Sequence, residues 1–442
     1  MHLPWPLRTK AALRTGVAVV VVVAMAVATF EYHQARNVRV PLLSAAVGIG
    51  PDGSRVMLVP GSPVVLHPGT RVLSGPGTDA EARRQAAWLA LGTVPGRQGP
   101  HHDMVRSALL DLDTLRLTNG AAIAAWPTAW RYVWPRDASF AAVALARTGH
   151  PNDALQMMEF VQSQQPPSGL LQARYRPDGS GPPDARGEES DGIGWVLWAT
   201  AQLSAAAPDA AARADLLKRL SSLIERSTDA ALGLTSGSGA LPPASLDYWE
   251  VKDSRLSLGT VAALALGLES ATDLERDLGN TARSAIVQAR AGELRASIGA
   301  HFGPAGYPRY LGDDAPDASV AFLLPPFTTG SGAARADPTV LAAWRNAMRL
   351  MARPAGGLAP GTDWKQDGIS WTPETALFAL TAASTGDRAT ANRLMNWLSE
   401  HRTAYGAVPE KVLSNGAPAG PAPLGWSDAL IVLTALSLEQ GP

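Results

Sequence analysis

The sequence predicts an all-α protein whose helix hairpins close on themselves as an α/α toroid. Three observations carry this. From Thr78 onward, apolar residues recur at helical spacing in stretches of about 12 to 20 residues. The connections between them are rich in Pro and Gly and hold almost no alternating, strand-like pattern. The chain also resembles itself: Trp134-Pro135-Arg136-Asp137 opens a segment that ends at Thr148-Gly149, and Trp371-Thr372-Pro373-Glu374 opens one of equal length that ends at Thr385-Gly386.

At the N-terminus, Arg8, Lys10 and Arg14 precede an uncharged apolar run over 16–30, the charge asymmetry of an export signal. Ala26-Val27-Ala28 fits a small-residue cleavage site, while the run falls just short of the ~18–20 residues of a spanning helix, so 1–30 is either a cleaved signal peptide or a retained single-pass anchor. Both readings expect the rest of the chain outside the cytoplasm, secreted or held at the cell surface, and the membrane is a partner only if the segment is kept.

Residues 31–100 carry short apolar runs (38–43, 56–59, 64–66 and 72–73) punctuated by Gly and Pro, the pattern of an extended, β-hairpin-like arm. Within it, Gly48-Ile49-Gly50-Pro51-Asp52-Gly53 satisfies GxGxxG, but strand-like 54–59 follows where a dinucleotide site needs a helix N-terminus.

Helical periods mark 80–91 and then, in the body of the chain over 101–442, 137–148, 154–164, 192–205, 210–226, 256–268, 274–298, 338–351, 375–384, 389–401 and 427–438. The internal likeness runs on past the glycines, where Ala154, Met157, Met158, Phe160 and Val161 stand in the positions of Ala391, Leu394, Met395, Trp397 and Leu398. Each unit is thus an aromatic-acidic loop, an Ala-rich helix, a glycine able to supply the left-handed C-cap, and a second, amphipathic helix. The Ala-rich first helices are expected to line the inside of the ring.

Asp137 and Glu374 begin the inner helices of the two units, and Asp191, Glu250, Glu410 and Asp428 lie at or shortly before others. If the inner helices run parallel, these carboxylates meet on one rim beside Trp134, Trp195, Trp249, Trp371 and Trp426. A single acid at a helix start is explained by the helix dipole, worth about 0.3–1 kcal/mol. Several beside tryptophan make a place where sugar rings stack on aromatic faces and carboxylates take the hydroxyls.

Composition narrows the remaining choices. With 46% hydrophobic residues, 17% charged and a net charge of -1, there is material for a core but no basic surface for nucleic acid. The absence of cysteine removes disulfides, thiol catalysis and Cys-based zinc sites. Histidines are scattered without HExxH, so no metal or other cofactor is expected. Asp313-Asp314-Ala315-Pro316-Asp317 has the DDxxD form of Mg²⁺-dependent isoprenoid synthases, but Pro316 breaks the helix that would have to present it. Asp317 is better read as a sugar-site or helix-start residue.

From Leu110 to Gln440 the chain resembles the catalytic domain of glycoside hydrolase family 15, the glucoamylase-like enzymes. The resemblance is carried by 119–126 (NGAAIAAW), 131–140 (RYVWPRDASF), Asp191-Gly192, 247–250 (DYWE), 317–327 (DASVAFLLPPF), 406–410 (GAVPE) and 423–429 (PLGWSDA), in that order. It implies an (α/α)6 toroid over 101–442 and inverting hydrolysis of terminal α-glycosidic bonds in oligosaccharides by a monomer. Glu250 then corresponds to the general acid and Glu410 to the general base, two carboxylates that inverting enzymes hold about 6.5–9.5 Å apart to admit a water. Tyr248 and Trp249 give Glu250 an aromatic setting that favours the protonated donor, and Lys411 favours an ionised Glu410. Arg136 and Asp137 match the pair that binds the terminal sugar, Asp191 matches another carboxylate that contacts the sugar or supports the acid, and Asp317 is a candidate sugar contact. Trp134, Trp249 and Trp426 are candidate sugar contacts, and Trp195 is either a stacking platform or core. The pattern departs at Val251, where fungal members carry a second carboxylate. Trehalose hydrolysis, a disaccharide phosphorylase and a surface carbohydrate-binding protein without hydrolysis stand as alternatives.

Overall fold

The computed structural model describes residues 40–251, 254–328 and 336–441, so the apolar run over 16–30 lies outside it. Among the described residues, no helix is long and apolar enough to cross a membrane. The chain enters through an antiparallel hairpin, β1 (Ala46–Ile49) and β2 (Arg55–Leu58), with Ala46 opposite Leu58. The Gly-rich 48–53 segment is the turn end of this hairpin, and no helix follows it. The arm docks on the far end of the chain: the Leu43 amide donates to the Gly420 carbonyl at 2.8 Å, and the Thr403 hydroxyl to the Ala45 carbonyl at 2.6 Å.

The helices follow as α1 (Asp79–Leu91), α2 (His102–Leu115), α3 (Pro135–Arg147), α4 (Pro151–Gln164), α5 (Asp191–Ala205), α6 (Ala210–Arg219), α7 (Ser221–Leu234), α8 (Leu258–Asp277), α9 (Thr281–His301), α10 (Pro338–Leu350), α11 (Thr372–Ser384), α12 (Arg388–Glu400) and α13 (Gly425–Gln440). Two-residue strands β3 (Ser370–Trp371), β4 (Lys411–Val412) and β5 (Pro418–Ala419) form a small antiparallel sheet.

Burial separates the helices into two sets. Every residue over 135–146 of α3, 372–383 of α11 and 425–436 of α13 is buried, as expected of helices apolar all round. Their small side chains, mostly Ala, Ser and Thr, let neighbours approach. Between α5 and α8, a Cβ at Gly194 would lie 2.0 Å from the Ala263 carbonyl oxygen, and one at Gly267 would lie 2.5 Å from the Gly194 Cα. By contrast, α12 buries only Ala391, Leu394, Met395, Trp397 and Leu398, one stripe of an amphipathic helix.

The buried elements pack as a ring: α3 on α5, α5 on α8, α8 on the 3-10 segment Ala318–Leu323, that segment on α11, α11 on α13, and α13 back on α3. An outer helix backs each one: α4 on α3, α7 on α5, α9 on α8, α10 on Ala318–Leu323, α12 on α11 and α2 on α13. Gly149 (φ 94) and Gly386 (φ 83) adopt the left-handed conformation just after α3 and α11.

Several boundaries differ from the sequence expectation. Helix α2 was not expected, because its inner stripe contains Asp111 and Asp113; both are buried, Asp111 held by Arg71 through Nε and Nη2 at 2.6 and 2.5 Å and Asp113 by the Gln85 amide at 3.0 Å. The 210–226 stretch divides at Leu220 into α6 and α7. Helix α8 runs through the polar 269–273 stretch to a stop at Gly279, because Glu269 pairs with Arg295 and the Thr272 hydroxyl donates back to the Leu268 carbonyl at 2.9 Å. The fourth inner element is only a six-residue 3-10 segment, ended by Leu324-Pro325-Pro326.

Candidate active site

A cavity of ≈ 320 Å³ opens where the inner elements begin, lined from the starts of α3, α11 and α13 and from the loops leading to α5, α8 and α11. The order of the chain explains the convergence. Each inner helix starts at the same end of the ring, so residues at its first turn share a rim. Trp134 and Trp371 are the N-cap residues of α3 and α11, and Asp137 and Glu374 are the third helical residues of each. All four line the cavity.

Glu250 and Glu410 both line it as well. Glu410 follows the 403–409 turn and leads into β4; it is 8% exposed, and its side chain is fixed on two sides. The Trp130 indole N–H donates to Oε1 at 3.0 Å, and the Lys411 ammonium lies 2.8 Å from Oε2 and 4.3 Å from the Trp371 ring centre. Gly420 (φ 73) leaves room for the carboxylate, since a Cβ there would come within 3.0 Å of Oε2. The backbone is anchored to α11, whose Thr372 amide donates to the Glu410 carbonyl at 3.0 Å.

Glu250 is held differently. It is half-buried, has a left-handed backbone (φ 53), and its amide donates to the Asp247 carbonyl at 2.7 Å. A positive φ at a non-glycine residue costs energy and is concentrated at functional sites. Its carboxylate makes an ion pair with Arg186 from the loop before α5. The aromatic setting expected from Tyr248 and Trp249 is thus shared with a guanidinium, which a neighbouring aromatic pair in sequence could not signal.

Arg136 and Asp137 occupy the first turn of α3. Arg136 is buried and donates to Glu189 and, at 3.1 Å, to Asp191, with Asp137 at 3.6 Å. Burial works against its charge, but these three carboxylates outweigh it and hold its pKa above the usual guanidinium range. Burial pushes the Asp137 carboxyl up to about 6, partly offset by Arg136. It pushes Glu374 up to about 8, with the Glu410 charge adding to the rise. Glu189 is likewise pushed up to about 8 by burial, opposed by Arg136.

Four candidates from the sequence do not reach the cavity. Trp195 is fully buried among Phe140, Trp198, Phe322 and Phe327, because the α5 helix turns it into the core; its indole N–H donates to Asp191 at 3.1 Å. It is core, not a stacking platform. Asp191 lies behind Arg136, and burial raises its pKa. Asp317 caps the 3-10 segment and accepts from the Tyr248 hydroxyl at 2.6 Å and from Arg309 at 2.8 Å. Arg309 also bonds Asp247 at 2.7 Å and lies 3.6 Å from the Trp249 ring centre, so Asp317 acts on the cavity through Tyr248 and Trp249. Asp428, counted on the rim from sequence, is fully buried, and burial, with the Asp111 charge adding to it, raises its pKa strongly.

Trp134, Trp249 and Trp426 line the cavity as expected, joined by Trp364 and Trp371. None of these five indole N–H groups has a hydrogen-bond partner within the protein, and each nitrogen is itself buried. Lys411 stands beside Glu410 as expected, whereas Arg186, Trp130 and Trp364 were missed in the sequence because they sit on connections whose course has no periodic signal. Glu374 and Trp371 were visible through the internal repeat. The DDxxD aspartates separate, with Asp313 turned outward to Arg255 at 3.0 Å and Asp317 inward.

No family model matches the sequence, and no curated protein matches it. Solved structures do. A glycosidase variant in complex with glucose is 23% identical with a TM-score of 0.65, over 81% of this chain and 99% of that one. A bacterial glucoamylase complexed with acarbose is 16% identical with a TM-score of 0.64, over 80% of this chain and 58% of that one. The glucoamylase from Saccharomycopsis fibuligera is 13% identical with a TM-score of 0.60, over 82% and 95%. The chain therefore has the fold of these glycosidases and glucoamylases.

Proposed function

We propose that the protein is an inverting glycoside hydrolase acting on terminal α-glucosidic bonds of short oligosaccharides, with Glu250 as general acid and Glu410 as general base on an (α/α)6 toroid. The single observation that carries this reading is that both glutamates line one cavity with Arg136, Asp137 and the five tryptophans Trp134, Trp249, Trp364, Trp371 and Trp426. That arrangement suits a sugar ring, which needs apolar faces for stacking and polar groups at its edge. The related folds include a glycosidase with bound glucose and a glucoamylase with bound acarbose, which supports a glucosyl unit in the same place. The two carboxylates differ in a way that suits unequal roles. Glu410 is clamped by Trp130 and Lys411 and is poised to accept a proton from water, whereas Glu250 sits on a strained turn with one ionic partner at the mouth. We place the catalytic unit outside the cytoplasm on the strength of the apolar 16–30 run behind Arg8, Lys10 and Arg14.

Glu250→Gln and Glu410→Gln test the assignment. Each is expected to cut kcat on an α-linked disaccharide by two orders of magnitude or more, of the order of the ~10²–10⁴-fold that general acid–base catalysis supplies, while the thermal midpoint stays near that of the parent. Near-normal turnover in either variant contradicts it. A second reading, sugar binding without hydrolysis, is favoured by the contact of Arg186 with Glu250. Tight calorimetric binding of maltose with no glucose released would establish that reading.

A further inference from the structure

Glu374 is a carboxyl that the acid–base pair does not use. It is 3% exposed, lines the cavity at the third residue of α11, and has no hydrogen-bond partner at Oε2. The internal repeat gives it a counterpart. Trp371 and Glu374 stand at the start of α11 as Trp134 and Asp137 stand at the start of α3, and both helices flank α13 in the ring. All four side chains border the same space, and the indoles of Trp134 and Trp371 both lack partners. We propose that Glu374 is a further sugar-binding residue, which with Trp371 takes hydroxyls of the bound ring from the side opposite Trp134 and Asp137.

The inference rests on reading the cavity as a sugar site, and it adds a chemical distinction between the two acids. The charged and titratable groups around Glu374 are Glu410 with Lys411 on the adjoining strand, Arg136 on α3 and Asp317 before the 3-10 segment. Burial, reinforced by the Glu410 charge, pushes Glu374 up to about 8, so it carries its proton at neutral pH. A carboxylic acid donates one hydrogen bond and accepts another, whereas Asp137, lower at about 6, offers a carboxylate that only accepts. A hydroxyl held by Glu374 is therefore an acceptor from it, one held by Asp137 a donor to it. This predicts that glutamine, also a donor and an acceptor, replaces Glu374 without loss.

The test is calorimetric titration of glucose into the full chain and its Glu374→Gln and Glu374→Ala variants at about pH 7 and about pH 9.5, either side of the glutamate's range. At about pH 7, Glu374→Gln is expected to bind within about threefold of the parent and Glu374→Ala about tenfold or more weaker, the loss of one good hydrogen bond. The parent is expected to lose affinity on going to about pH 9.5, and Glu374→Gln to be flat across that interval. An Ala variant that binds like the parent, or a Gln variant that keeps the alkaline fall, overturns the inference. If Glu374→Ala does not fold, the comparison of parent and Gln variant across pH decides alone. A folded parent that binds no glucose overturns the sugar-site reading itself, whereas a parent that binds with an indifferent Ala variant overturns only the role of Glu374.

Discussion

Arg186 and Glu250 form an ion pair at the mouth of the cavity, tying the loop before α5 to the loop before α8. An adjacent cation favours the carboxylate, and a general acid needs the proton. Removing the cation has a definite sign. Arg186→Gln is expected to raise the pKa of Glu250 and so move the alkaline limb of kcat upward by about one pH unit, read from initial rates on an α-linked disaccharide at saturation. An unmoved limb would mean that substrate already separates the pair.

Asp137 is expected to set the opposite limb. Burial holds its pKa at about 6, above the usual carboxylate range; ionised, it offers both oxygens as charged acceptors to sugar hydroxyls in the proposed site, whereas protonation turns one of them into a donor and removes the charge. Glucose affinity is therefore expected to be full above that value and to fall as pH drops through it. Asp137→Asn should bind about tenfold or more weakly and lose the acid limb, as isothermal titration across acid pH would report.

Gly420→Ala tests the seat of Glu410, the proposed general base. The glycine has φ 73, and a Cβ would crowd the Glu410 carboxylate at 3.0 Å. The variant is expected to lose kcat by about tenfold or more, the scale of a misplaced catalytic group, with KM little changed. A crystal structure of the variant should show Glu410 shifted off the Trp130 N–H.

Asp317 tests the support beneath Trp249. Replacing it with Ala leaves the Tyr248 hydroxyl unpaired and removes one of the two carboxylates that hold the buried Arg309. Breaking such a buried pair costs about 3–5 kcal/mol, measurable as a lower urea midpoint with an unchanged slope. Sugar affinity should weaken as well, since Arg309 stacks on Trp249.

These contrasts show which features the sequence made legible. The Trp-to-acid spacing repeated at Trp134/Asp137 and Trp371/Glu374 was readable because one helical turn fixes both distances, and the structure brings all four residues to one cavity. The Ala-rich inner helices were readable for the same reason of period. Helix α2 was not, because Asp111 and Asp113 interrupt its apolar stripe and rely on partners that include Arg71, Arg84 and Gln85, distant in the chain. Trp195 could not be told from a cavity residue, since its place depends on which way α5 is turned. The ionic partner of Glu250 comes from a loop, where no periodicity relates Arg186 to the residue it meets.

The most direct measurement is proton NMR of an α-linked glucose disaccharide during digestion by the purified chain beyond residue 30. Hydrolysis through Glu250 and Glu410 with an intervening water releases β-glucose first, with the α-anomer rising only as mutarotation proceeds. Initial release of α-glucose, or no release by the folded protein, would contradict the account.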